Sequence, residues 1–105
     1  MINTAGELVA PPTVERALRS LDVVADALVV GLPNERWGQI VAALIVPSAL
    51  GRAQASSMSA EALSAALSDA LAPWEKVRRV LVVDALPTTT TGKPDPVAAA
   101  RLFDA

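Results

Sequence analysis

The stretch Leu86 to Pro94, LPTTTTGKP, sets a single lysine, Lys93, beside four threonines and one glycine. Hydroxyl-bearing side chains do not compete for a core, and Gly92 opens backbone angles closed to other residues. The sequence therefore predicts an exposed, bendable loop with a cation near its tip. The chemistry a lysine offers there is that of a mobile point charge; the plain alternative is a solvated connector. TTTTGK echoes the phosphate-binding pattern GxxxxGK[ST]. That reading fails because the first Gly is missing and Pro94 stands where a metal-binding Ser or Thr is needed.

Two other places carry side chains able to bind. Gly31 to Gly38, GLPNERWG, is a turn with Pro, Asn and two Gly, and it holds Trp37. A large aromatic in a polar turn either plugs a gap in the core or offers a stacking face. Ala72 to Arg79, APWEKVRR, puts Trp74 beside Lys76, Arg78 and Arg79. Such a cluster can bind a nucleotide by stacking and phosphate pairing, or can simply end a helix in solvent.

Composition narrows what these residues can serve. A chain of 105 residues suits one domain with a radius of gyration of about 13 Å, burying roughly 60 to 70% of its unfolded surface. That is enough for one core but not for a deep substrate cleft as well. The core must be aliphatic, because half the residues are hydrophobic yet only two Trp and one Phe are aromatic. A formal charge of -2 argues against a dedicated nucleic-acid binder. Without Cys or His there is no disulfide, no thiolate or zinc-thiolate site and no imidazole base, and no metal set is expected. No apolar run reaches the roughly 18 residues of a membrane span, and no signal-peptide pattern opens the chain. The expectation is a soluble, cytoplasmic protein without a membrane span.

The elements that must position the three segments follow from periodicity. Small residues at Thr4 to Gly6 and prolines at 11 and 12 predict a turn and a short extended lead-in. A helix follows, with Pro12 in its first turn and Val14, Ala17, Leu18 and Leu21 on one stripe. The aliphatic runs Ala27 to Leu32 and Ile40 to Val46 read as strands covered on both faces. Pro47 to Met58 is small, polar and aperiodic, a surface loop. Ser59 can cap a second helix whose spacing runs through Leu63, Leu67 and Leu71 until Pro73 ends it. A third strand, Val80 to Val83, leads into the lysine loop. Asp95 can cap a last short helix with Pro96 at its first position, running from Val97 to Phe103. The fold class is α+β: a small mixed three-stranded sheet flanked by helices, with a short hairpin-like segment at the N-terminus and the lysine loop towards the C-terminus.

In that order, the segments resemble the C-terminal domain of the acyl-adenylate-forming enzymes: acyl- and aryl-CoA ligases, luciferases and the adenylation domains of peptide synthetases. The resemblance rests on an apolar strand followed by LP-T-x-TGK near the C-terminus, and on G-x-P-[DN]-E-x-W-G between two strands. Ile2 to Glu15 is similar to I-K-x-G-G-x-N-I-x-P-x-E-[IV]-E, with Gly6, Pro11 and Glu15 matching. Ala5 replaces the first glycine there, and Leu8 and Thr13 replace the usual Asn and Glu. Trp74 takes the aromatic position of L-x-x-[YF]-K-x-P-x-x-[IV], where Glu75 replaces the lysine and Val77 the proline. The basic residues that usually follow the lysine are absent, replaced by PDPVAAA.

The resemblance implies that Lys93 is the catalytic lysine of the adenylation half-reaction. It implies that Gly6 lines a pantetheine tunnel, which a methyl at Ala5 would narrow, and that Trp37, with Gly38, packs on the adenine of CoA. Trp74, Lys76 and Arg78 are implied contacts of the CoA nucleotide. ATP and CoA are implied as co-substrates of a carboxylic acid, with Mg2+ accompanying ATP and held by a large N-terminal adenylation domain, in the same chain or in trans. The family hinge would fall just upstream of Ile2. On this reading the whole chain, 1–105, is the C-terminal domain alone and would not turn over substrate by itself. The opening lacks the usual peptide-synthetase form, so CoA ligation is favoured over loading of a carrier protein. The reading from another class is a free-standing α+β interaction module in which Lys93 is only an exposed loop residue.

Overall fold

The computed structural model describes residues 1–104. The chain opens on a hairpin of β1 (Ile2–Thr4) and β2 (Glu7–Val9), paired Ile2 with Val9 and Thr4 with Glu7. Ala5 and Gly6 between them take positive φ, 52° and 88°. Two consecutive left-handed residues make the turn whose twist matches that of paired strands. Helix α1 (Pro11–Arg19) follows and buries Val14 and Leu18 completely, two residues one turn apart on the predicted stripe.

Strands β3 (Val24–Asn34) and β4 (Gly38–Pro47) pair antiparallel along nearly their whole length. The free side of β4 is then shared. β5 (Arg79–Val82) runs parallel to it from Ala42 to Ile45, and β1 meets its beginning through Thr4 and Gly38. The hairpin is thereby joined to the mixed three-stranded sheet, giving five strands in all. Both faces of β3 and β4 are covered, as their unbroken aliphatic runs require. Ala27, Val29, Val41, Ala43 and Ile45 pack against Val14 and Leu18 of α1 and Leu63 of α3 (Ala60–Ala66). Leu28, Val30, Leu32, Ala42 and Leu44 pack against Ala99 of α4 (Pro96–Leu102) and against Phe103. The radius of gyration is 12.9 Å.

Three expectations are corrected. The segment expected as a surface loop, residues 47–58, holds helix α2 (Ala49–Ala53) and a tight turn at Ala55–Met58. Its signal is capping rather than periodicity. The Ser48 hydroxyl accepts from the Gly51 N–H and donates to the Asp22 carbonyl, and Met58 is 7% exposed. The second helix, expected to continue to Pro73, ends at Ala66 and gives way to turns, with Leu67 N–H shared between the Leu63 and Ser64 carbonyls. There the Ser64 hydroxyl is buried and donates to the Val77 carbonyl, tying α3 to the segment that leads into β5 rather than to more helix. Residues 72–79 are not a helix end. Pro73–Glu75 forms a single 3-10 turn, after which the chain is extended into β5.

Candidate functional site

The turn between β3 and β4 is set by Asn34. Its side-chain oxygen accepts from the N–H groups of Arg36 and Trp37, both at 2.9 Å. This is an Asx-type turn that replaces missing backbone bonds with a side-chain acceptor. Gly38, at φ 82°, then lets the chain enter β4 where an L side chain would be strained. Trp37 is thus carried half-buried on a closed loop. Its carbonyl accepts from the Ala5 N–H at 2.8 Å, so the tryptophan turn and the N-terminal hairpin turn are hydrogen-bonded to each other.

The third part arrives along the same free edge of β4 as the hairpin. The Arg78 N–H donates to the Val41 carbonyl at 2.8 Å, and its guanidinium lies 4.2 Å from the centroid of the Trp37 ring. Trp74, 45% exposed, stands on the preceding 3-10 turn. Glu75, at the position where the family pattern has lysine, accepts from the Ala72 N–H at 2.8 Å and so closes that turn. Together, Thr4, Ala5, Glu7, Trp37, Trp74 and Arg78 line a cavity of about 110 Å³. Three segments far apart in sequence therefore meet at one place: a planar cation over one indole, a second indole beside it and a tight turn at the rim.

Gly6 is at the tip of that turn, with open space around the position of its missing side chain. Gly38 is exposed below it. Lys76 does not reach the tryptophan cavity. It lines a neighbouring groove of about 330 Å³ with Ser64, Ser68 and Leu71, and Arg78 borders both spaces. Trp37, Trp74 and Arg78 are thus brought together as one surface, with Lys76 at its flank. Sequence reasoning placed Asn34 in the turn but missed its side-chain bonds and the closure of the 3-10 turn by Glu75. Only Asn34, preceding a Trp-Gly turn, carried a readable signal.

Lys93 lies apart from that cavity. Its loop is entered from Val83, whose N–H donates to the Ile45 carbonyl at 2.9 Å, at the other end of β4 from Gly38. The loop closes on itself. Thr89 N–H donates to the Lys93 carbonyl at 2.7 Å, Gly92 N–H to the Thr89 carbonyl, and Asp95 N–H to the Pro87 carbonyl. Gly92 sits at φ 85°, and Thr88 bridges Pro94. The threonine run is therefore a closed hairpin-like loop whose backbone is fixed, with the lysine side chain exposed. Among the described residues the ion pairs use Arg19 and Arg52, not Lys93. Among the same residues no group of His, Cys, Asp or Glu is gathered as a metal site. No helix there is long and apolar enough to cross a membrane.

The fold recurs in known proteins. Residues 13–93 match the family model described as AMP-binding enzyme C-terminal domain. The chain is 38% identical over 106 residues to the medium/long-chain-fatty-acid–CoA ligase FadD8 of Mycobacterium tuberculosis, a match covering 98% of this chain and 18% of that protein. A fatty acyl CoA synthetase from Mycobacterium tuberculosis superposes with a TM-score of 0.83 at 27% identity, over 98% of this chain and 19% of that one. The amide bond synthetase McbA from Marinactinospora thermotolerans does so at 0.85 and 31% identity, over 97% of this chain and 20% of its own. The chain thus spans less than a fifth of the length of the ligase it matches. With the family model covering most of its residues and the fold reproduced in solved members, the chain belongs to the AMP-binding enzyme C-terminal domain family, the C-terminal domain of the adenylate-forming enzymes.

Proposed function

We propose that this chain is the mobile C-terminal domain of an ATP-dependent acyl-CoA ligase, supplying Lys93 to acyl-adenylate formation and the tryptophan surface to thioester formation. The observation that carries the proposal is the convergence of Trp37, Trp74 and Arg78 around one cavity at the hairpin turn. A stacking surface with a cation over it suits a base joined to phosphates, which CoA supplies.

In the first step a carboxylate oxygen of the acid attacks the α-phosphorus of ATP, the acyl-phosphate bond forms and pyrophosphate leaves. Charge accumulates on phosphate oxygens, and catalysis is positioning plus electrostatic stabilisation. Lys93, exposed on a backbone-fixed loop, would bridge the acid's carboxylate and the nucleotide as a point charge. In the second step the CoA thiol, losing its proton, attacks the acyl carbon and AMP leaves. Gly6, Trp37, Gly38, Trp74, Lys76 and Arg78 would hold the CoA. The ATP site, its Mg2+ and the acyl pocket are assigned to a large N-terminal adenylation domain, in the same chain or in trans.

One charge contact at 4 Å and an effective dielectric of about 20 is worth about 4 kcal/mol before desolvation. Lys93→Ala in the complete ligase should therefore slow ATP–pyrophosphate exchange by roughly 10²-fold or more. Thioester formation from preformed adenylate should fall far less. An unchanged exchange rate refutes the role of Lys93. The likeness to McbA favours one second reading, transfer of the acyl group to an amine; AMP release that proceeds with an amine and without CoA would establish it.

A further inference from the structure

We infer that Gln39 is a positioning residue that sets where the Ala5–Gly6 turn stands at the rim of the tryptophan cavity. The bond from Ala5 N–H to the Trp37 carbonyl and the Thr4–Gly38 pair are the last regular steps between β1 and β4. In an antiparallel ladder the next bond would join the Asn3 N–H to the backbone carbonyl of Gln39. Instead the Asn3 N–H donates to the Gln39 side-chain oxygen, Oε1, at 2.9 Å. A side-chain amide therefore takes the place of the ladder bond where the β1–β4 pairing ends.

Room for the amide comes from Gly31 in β3. A Cβ there would lie 2.8 Å from Gln39 Nε2, closer than real Cβ atoms come, and in a tight 3.1 Å contact with Ile2 Cγ1. Beyond Asn3 the path continues, because its side-chain oxygen accepts from the Gly6 N–H at 3.1 Å. A space at Gly31, the amide of Gln39, the backbone and side chain of Asn3 and the N–H of Gly6 thus form one continuous path. It runs from the buried sheet to the turn tip. None of the four touches the tryptophan cavity, whose lining at that rim is Thr4, Ala5 and Glu7. Gln39 acts on the cavity through the turn alone. For CoA binding this rests on the function proposed above; for the turn itself it does not.

The test is amide hydrogen exchange on the 105-residue chain, with tryptophan fluorescence titrated with CoA as the second readout. Gln39→Leu removes the acceptor and keeps the bulk. Exchange at Asn3 and Gly6 should accelerate about 5-fold, the factor equivalent to one hydrogen bond of about 1 kcal/mol. Exchange at Val41 and Leu44 should be unchanged. Gln39→Glu keeps an acceptor oxygen and should restore slow exchange at both positions, and Asn3→Ala, on an exposed residue, should accelerate Gly6. The CoA dissociation constant should rise about 5-fold in Gln39→Leu and return in Gln39→Glu. The inference is overturned if exchange at Asn3 and Gly6 matches wild type in Gln39→Leu, or if every strand accelerates equally. A wild-type chain that CoA does not quench counts against the CoA-facing surface, while the exchange results still decide the role of Gln39.

Discussion

Arg78 is where the proposed CoA surface is most open to disproof. Its guanidinium rests 4.2 Å from the Trp37 centroid and borders both the tryptophan cavity and the groove that holds Lys76. The side chain is exposed, so its stacking contributes little to folding, about 0.5–1 kcal/mol. Against a phosphate the same group adds a charge-assisted hydrogen bond of about 1.5–3 kcal/mol. Arg78→Ala should therefore weaken CoA binding by about 1.5–3 kcal/mol, roughly 10-fold or more. The melting temperature should fall by no more than about 8 °C. Arg78→Lys keeps the charge but loses the planar face over the indole, and should recover all but about 1 kcal/mol of that loss. The assay is a CoA titration followed by tryptophan fluorescence, run beside the KM for CoA of the complete ligase. Because the contact is ionic, the difference between wild type and Arg78→Ala should shrink with added salt. A CoA affinity in Arg78→Ala within 3-fold of wild type would refute the assignment of this cation to a nucleotide phosphate.

Two further substitutions test the scaffold. A Cβ on Gly51 would collide with the Val23 carbonyl, the same carbonyl that accepts from the Ser48 N–H at 3.0 Å to dock α2. Gly51→Ala should cost about 2–3 kcal/mol and lower the melting temperature by roughly 10 °C or more, measured by circular dichroism; a shift under about 2 °C would show that α2 moves freely. Ala5 holds φ 52°, a conformation that costs an alanine about 1 kcal/mol. Ala5→Asn makes the dipeptide preferred in this turn and should gain about 0.5–1 kcal/mol in urea unfolding. An unchanged midpoint would mean that the turn carries no strain.

The parts of the fold that were readable in the sequence were those specified by neighbours in the chain. The strands declared themselves through aliphatic runs because both faces of β3 and β4 are covered. Ser59 and Asp95 were readable as caps, and each accepts from backbone N–H groups at the helix it begins. What stayed hidden was specified across the fold. Helix α2 has no apolar stripe and depends on the approach of Gly51 to Val23. Glu75 looked like a charge reversal in a binding segment, but its partner is the Ala72 N–H, three residues back. Gln39 carried no sign at all, since its role exists only once Gly31 and Asn3 lie on either side of it. The family resemblance named the candidate residues one by one, not as a constellation. Nothing in the spacing of Trp37, Trp74 and Arg78 says that they share a cavity.

The sharing of β4 has a consequence for how the proposed reaction must run. One end of its free side is taken by the hairpin at Gly38, and the other by β5, which reaches Ile45 before entering the lysine loop. From Gly38 to Ile45 is roughly 23 Å of strand, and the strand is rigid, since β3 is bonded along its other side and both faces are covered. The tryptophan surface and the entrance of the Lys93 loop are therefore held at opposite ends of a stiff element. They cannot close on each other by local bending. A single acyl carbon that needs the lysine while its adenylate forms, and the hairpin surface when the thiol attacks, has to meet them one after the other. Within the proposed function, the separation of the two groups along β4 favours a rigid-body turn of the whole domain over local bending as the way to use both.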